Sequence, residues 1–172
     1  MVEARLRAVR SEDLVLLRPG EVADDPFQFF GFVASNAVER AFAANGLISD
    51  DQGTLIVEDA PGSVAGTVGW FAVQHGPATT ARALNIGISL RPEHRGRGLG
   101  TAAQAALATY LFENTLIERL EAGTDVDNIA EQRALEKAGF QREGIARHAQ
   151  YRAGGWHDLV MYSRLRSQYV GP

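Results

Sequence analysis

The stretch Leu90-Arg91-Pro92-Glu93-His94-Arg95-Gly96-Arg97-Gly98-Leu99-Gly100-Thr101 constrains this chain more than any other. Residues 83–90 before it read as a strand, halted by Pro92. Residues 98–113 after it read as a long helix with an apolar face of Leu99, Ala103, Ala106, Leu107, Tyr110 and Leu111. Three glycines let backbone N–H groups approach a ligand without side-chain hindrance. The first turn of the helix adds N–H groups with no internal partner and the positive end of the macrodipole. Strand, glycine loop and helix together make an anion site, most naturally for a diphosphate, with Arg95 and Arg97 as charged donors. A plain tight turn would need neither the three glycines nor the two arginines.

Other glycine motifs fail on spacing. A phosphate-binding G-x-x-x-x-G-K-[ST] loop started at Gly96 meets Thr101 where glycine is needed, and no lysine is near. The dinucleotide fingerprint fails at the same residue. Gly87-Ile88-Ser89-Leu90-Arg91 ends in Arg, so it makes no nucleophile elbow. His75, His94, His148 and His157 show no metal-ligand spacing. The chain has no cysteine, which removes thiolate nucleophiles, disulfides and Cys-based metal sites.

The other elements follow from periodicity and caps. Residues 3–9 read as a strand, 11–17 as a short helix and 36–45 as a helix with Asn36 and Glu39 in a capping-box pair and Gly46 at its end. Residues 54–58 and 64–73 form a hairpin around Pro61-Gly62, and 117–124 form a further strand. A helix over 128–138 starts at the Asn128/Glu131 pair and ends in a Schellman-type cap at Gly139-Phe140. Strands over 140–148 and 157–165 flank Ala153-Gly154-Gly155. The order is that of a mixed α/β (α+β) domain, one sheet covered by helices. Residues 1–172 are expected to form a single domain. A formal charge of −4 disfavours a nucleic-acid-coating surface. No signal-peptide core or membrane-spanning run stands out, so a cytoplasmic protein with no membrane partner is expected. All cations but Lys137 are Arg, chiefly a genomic bias.

Arg95-x-x-Gly98-x-Gly100 resembles the [QR]-x-x-G-x-[GA] motif of the GNAT N-acetyltransferases. Asp127-Asn128 followed by Ala134-Leu135-Glu136-Lys137-Ala138-Gly139-Phe140 is similar to that family's N…L-E-K-x-G-F helix. Arg142-Glu143-Gly144 and Asp158-Leu159-Val160-Met161-Tyr162-Ser163 resemble its RimJ/RimL-type branch. The resemblance implies the three-layer GNAT fold, a mostly antiparallel twisted sheet of about six to seven strands that splays between the fourth and fifth. It implies acetyl-coenzyme A as cofactor. Gly96, Gly98, Leu99, Gly100 and Thr101 would cradle the pyrophosphate with Arg95 and Arg97. Ile88, Ser89 and Leu90 would pair with the pantetheine arm and polarise the thioester carbonyl. Asn128 would bond the arm as well as cap its helix.

The same resemblance implies transfer to a primary amine, of a protein or peptide N-terminus or a small molecule, by direct attack in a ternary complex. The alternatives are a non-catalytic acyl-CoA-binding or sensor module, or an acetyltransferase of antibiotics, amino sugars or amino acids. A homodimer would match the family's habit. The family's usual proton carriers do not transfer. The Glu position of the fourth strand matches Asn85, the Tyr position matches Leu135, and the small Ser three residues after the Asn is Glu131. Glu121 is the substitute base. Strand alternation sets it with Gly123 opposite Leu120, Ala122 and Thr124, either as a solvent-facing charge or as a buried carboxyl acting through water. Tyr151 either reaches the site from the last loop or is a surface aromatic. His94 is expected to brace the loop. Phe29, Phe30 and Trp156 are the candidate walls of the amine pocket.

Overall fold

The computed structural model describes residues 2–17, 26–27 and 36–169. Its elements are β1 (Arg5–Ala8), a 3-10 turn (Ser11–Leu17), α1 (Ala37–Asn45), β2 (Gln52–Ala60), β3 (Ser63–Gln74), β4 (Arg82–Leu90) and a 3-10 turn (Pro92–His94). They continue with α2 (Leu99–Asn114), β5 (Arg119–Asp125), α3 (Ile129–Lys137), β6 (Gln141–Arg152), β7 (Gly155–Leu165) and a last 3-10 turn (Arg166–Gln168). Among the described residues no helix is long and apolar enough to cross a membrane.

One seven-stranded sheet runs in the order β1-β2-β3-β4-β5-β7-β6. Every neighbouring pair is antiparallel except β4 and β5. That parallel pair registers only at Leu84↔Leu120 and Asn85↔Glu121. Beyond it β4 follows β3 as far as Gly66↔Leu90, and β5 follows β7 as far as Asp125↔Leu159. Each half keeps its own partner and twist, so the sheet opens into a wedge. Gly66 allows the close approach of β3 to β4, because a Cβ there would sit 2.1 Å from the Ser89 carbonyl oxygen.

The core lies between one face of this sheet and the helices. Val68, Trp70, Leu84, Ile86, Leu120, Ala122, Val160 and Tyr162 meet Leu99, Ala103, Leu107, Leu111 and Leu135 in one cluster. The buried face of α2 is rotated from the expected stripe. Gln104, Ala108 and Phe112 are buried, whereas Ala106 and Tyr110 are only half-buried. The reason is that α2 is apolar almost all round, so its neighbours rather than its pattern select the inner face.

Several local expectations change. Residues 11–17 wind as a 3-10 turn, because Asp13 turns back to accept from Arg10 N at 2.8 Å and from Arg7 Nη1 at 2.6 Å. Arg7 Nε also donates to Glu58 at 2.6 Å, tying β1 to β2 and this turn. Asn36 makes no side-chain cap, though Gly46 ends α1 at φ 65°. The last hairpin is longer than expected and closes at Ala153-Gly154, both at positive φ, as tight hairpin turns require. At the end of α3 the Schellman geometry is present: Phe140 N donates to Leu135 O at 3.0 Å, with Gly139 at φ 89°.

Candidate functional site

The wedge between β4 and β5 holds a cavity of about 320 Å³. Ile86, Ile88, Leu90, Ala122 and Thr124 line it from one side of the sheet, with Gly100, Asn128 and Glu131 of the two helix starts. Gly87, Ser89, Gly123, Asp125 and Leu159 alternate to the other side, where Gln150, Pro26 and Phe27 complete it. The cavity therefore passes between the strands and touches both faces of the sheet. A Cβ at Gly87 would meet nothing within 4 Å, so this strand glycine leaves open space inside the cavity.

At one end stands the glycine loop. Gly96 (φ 73°) and Gly98 (φ 83°) adopt left-handed backbone. Gly98 is the N-cap of α2 and supplies no side-chain cap, so the first-turn N–H groups receive none from it. Arg95 Nε donates to Leu90 O at 2.8 Å, which folds the loop back onto the end of β4. His94 Nδ1 lies 2.7 Å from Asp59 Oδ2, and Arg97 Nη2 donates to Glu93 O at 3.0 Å and lies 3.5 Å from the same aspartate. Ser63 and His94 hold the Asp59 carboxyl below the usual carboxylate range. The loop is thus braced from β2, with Gly96 and Gly98 exposed.

The start of α3 supplies the next group. Asn128 Oδ1 accepts from Glu131 N at 3.2 Å, a side-chain N-cap. The Glu131 carboxyl is hydrogen-bonded to Gln104 of α2, a buried amide. Burial pushes Glu131 up to about 7, against the smaller opposing effect of Gln104.

On the far side of the sheet Asp125 is buried and fully engaged. Its carboxylate accepts from Arg152 Nη2 and from Asp127 N at 2.8 Å, and His157 Nδ1 lies 3.1 Å away. Burial would raise its pKa, but the Asp127 N–H and Arg152 outweigh that and hold it below the usual range. Arg152 is itself buried, donating to Pro26 O at 2.8 Å and Gln150 Oε1 at 2.6 Å, with its guanidinium 5.6 Å from the Phe27 ring centre.

Of the residues singled out from sequence, Ile88, Ser89, Leu90, Arg95, Gly100 and Asn128 line the cavity together. Gly96, Gly98 and Thr101 do not line it but lie in the loop and first turn beside Arg95 and Gly100, which do, and the Leu99 side chain belongs to the core. Arg97 is exposed and turned toward Asp59. Glu121, Asn85 and Tyr151 are not among the described residues that line the cavity. Glu121 is buried at the closed end of the wedge, where Arg119 Nε donates to its Oε1 at 2.6 Å and His75 Nε2 lies 2.6 Å from the same oxygen. Of the two expectations for Glu121, the solvent-facing charge is corrected: the carboxyl is buried, and its Oε1 has two partners. Tyr151 is exposed and packs edge-on against Trp156, which is 61% exposed and stacks on His148. Phe29 and Phe30 lie outside the described residues. Sequence reasoning missed Gln104 and the Asp125–Arg152 pair. A polar side chain inside an apolar stripe was the signal for Gln104, and alternation along β6, which turns Arg152 inward when Tyr151 points out, was the signal for Arg152.

Residues 4–141 match the family model of the Acetyltransferase (GNAT) domain. Probable N-acetyltransferase YjcK of Bacillus subtilis (strain 168) is 40% identical over 93 residues, 54% of this chain and 50% of that protein, so the chain spans about half the length of this relative. Uncharacterized N-acetyltransferase YoaA of the same strain is 28% identical over 166 residues, 92% of this chain and 90% of that one. Among solved structures, spermidine N-acetyltransferase from Vibrio cholerae in complex with CoA and spermine has the same fold, with a TM-score of 0.78 at 19% identity over 96% of this chain and 97% of that chain.

Proposed function

Because this chain belongs to the GNAT acetyltransferase family, we propose that it moves an acetyl group from acetyl-coenzyme A to a primary amine by direct transfer in a ternary complex. The observation that carries the reading is the cavity between β4 and β5. It joins the glycine loop at one end to Asp125 and Gln150 beyond the sheet, so two ligands can enter from opposite faces and meet between the strands. Its residues suit the cofactor: open glycine backbone and Arg95 for the pyrophosphate, the edge of β4 at residues 88–90 that lines the wedge and the Asn128 amide for the pantetheine arm. When bound, acetyl-coenzyme A supplies an activated thioester. The chain supplies position and fixed dipoles, and backbone N–H groups of β4 in a site shielded from water are worth more than the same groups in solvent. The absence of cysteine leaves no acyl-cysteine route.

The acceptor enters by the side where Asp125, Gln150 and Phe27 lie. The Vibrio cholerae structure with the same fold carries CoA and spermine, which supports an amine acceptor in general. A protein N-terminus and a small amine both fit this description. Trp156 and Tyr151 are proposed as outer contacts of the acceptor, since they border the hairpin that carries Gln150.

The test is coenzyme A release from acetyl-coenzyme A against a pooled library of peptide N-termini and small amines. Release above the hydrolysis background with at least one member is expected. Thermal stabilisation by acetyl-coenzyme A with no release from any member would leave the binding-module reading in its place.

A further inference from the structure

Resting on that reading, we propose that Glu131 is a catalytic residue, entering the reaction as the neutral acid and giving its proton to the sulfur that leaves the thioester. Three titratable side chains line the cavity among the described residues: Arg95, Asp125 and Glu131. Arg95 is a guanidinium donor whose Nε is turned to Leu90 O. Asp125 is held as a carboxylate by Arg152 and the Asp127 N–H. Glu131 alone has an environment that stores a proton near neutrality.

That environment is built by the fold. Glu131 follows Asn128 by three residues, so the helix start that offers the pantetheine arm an amide turns the carboxyl into the same cavity. From α2 it meets Gln104, a neutral amide itself held by Gly100 O at 3.3 Å. From the loop the charge lining the cavity is Arg95, and from β5 it is Asp125, already paired. Among the described residues no cation is bonded to Glu131 to keep it ionised, and burial raises its affinity for a proton.

The transfer balances as follows. The acceptor nitrogen bonds to the acetyl carbon, the carbon–sulfur bond breaks with its electron pair left on sulfur, and the Glu131 proton moves to that sulfur. The surplus proton on nitrogen goes to water, and water reprotonates Glu131. A carboxyl near 7 is well matched to this work, because it is partly protonated at neutral pH and is a stronger acid than the thiol it forms.

The inference has a test that needs no acceptor. Coenzyme A closing the cavity removes more water from Glu131, so binding should draw a proton onto it. Titration calorimetry of the full chain with coenzyme A, in buffers of different ionisation heat at about pH 7.5, reads that uptake; a carboxyl near 7 can take up to roughly 0.75 proton there. Glu131→Gln should bind coenzyme A with this uptake lost, and Glu131→Asp should restore part of it. Equal uptake by wild type and Glu131→Gln overturns the proposal while leaving the acetyltransferase reading intact. No coenzyme A binding by wild type overturns both. Should Glu131→Gln fail to fold, carbon-13 titration of the wild-type carboxyls decides the matter: one resonance should titrate near 7 and move higher with coenzyme A. If every carboxyl stays in the ordinary range, the proposal falls.

Discussion

Asn85 and Glu121 stand side by side on β4 and β5, in the last register pair before the two strands part. They continue a row that crosses the sheet from Phe71 on β3 to Ser163 on β7. This row lies on the face turned away from the α2 core, and Glu121 meets there a cluster of Arg119, His75 and, through Arg119, Glu143. Glu121 is thereby held at the closed end of the wedge.

Glu121→Gln should therefore act on stability. Arg119 keeps Glu143 but loses a buried charged partner, for a loss of about 1–2 kcal/mol. Denaturant unfolding should show the loss while calorimetry finds coenzyme A affinity unchanged. A large fall in turnover with an accepted amine and no change in stability would return Glu121 to the chemistry.

Gly98 is the N-cap of α2 at φ 83°, and a Cβ there would meet only Val2 at 3.9 Å. Gly98→Ala should destabilise by about 1 kcal/mol for conformational reasons alone. Gly98→Trp should also fill the space before the first-turn N–H groups. Wild type should gain about 2.7 kcal/mol at acetyl-coenzyme A a hundredfold above Kd, and Gly98→Trp should gain nothing. A thermal-shift series reads both.

Arg7 sits between two buried carboxylates, 2.6 Å from Asp13 and 2.6 Å from Glu58. Arg7→Met leaves both uncompensated and should destabilise by about 3 kcal/mol. Arg7 also holds both carboxyls below their ordinary values. Stability from this source is complete above the ordinary carboxylate range and is lost as pH falls through the lowered values. Acid unfolding of wild type should therefore be steeper than that of Arg7→Met, measured by circular dichroism across the acid range.

Glu131 carries the opposite linkage. Its pKa is raised to about 7 in the fold, so the native state holds a proton that the unfolded chain gives up. The penalty is absent below the unfolded value, grows as pH rises, and is complete above about 7. The neutral isostere Glu131→Gln should thus stabilise the ligand-free protein at about pH 8, by at most about 3 kcal/mol, and by little at about pH 5. Gln104→Leu should push Glu131 higher still, since that amide favours the charged form. Chemical denaturation at the two pH values and a carboxyl titration check these outcomes.

The sequence by itself determined what short-range physics controls. The glycine loop between β4 and α2, the Asn128 cap and the Gly139-Phe140 stop depend on groups within a few residues of each other, so residue type and spacing suffice to read them. The order of strands and helices was legible for the same reason, as was the likeness of the loop and the α3 segment to one family. What surrounds each carboxyl of the wedge was decided only in three dimensions. Glu121 is occupied by a histidine 46 residues away, Asp125 by an arginine 27 residues away, and Glu131 is desolvated beside an amide from another helix. A carboxyl's charge depends on water, partners and low-dielectric surroundings that packing assembles across the chain, so the same residue type became a brace, an anchor and a proton store at three points around one wedge.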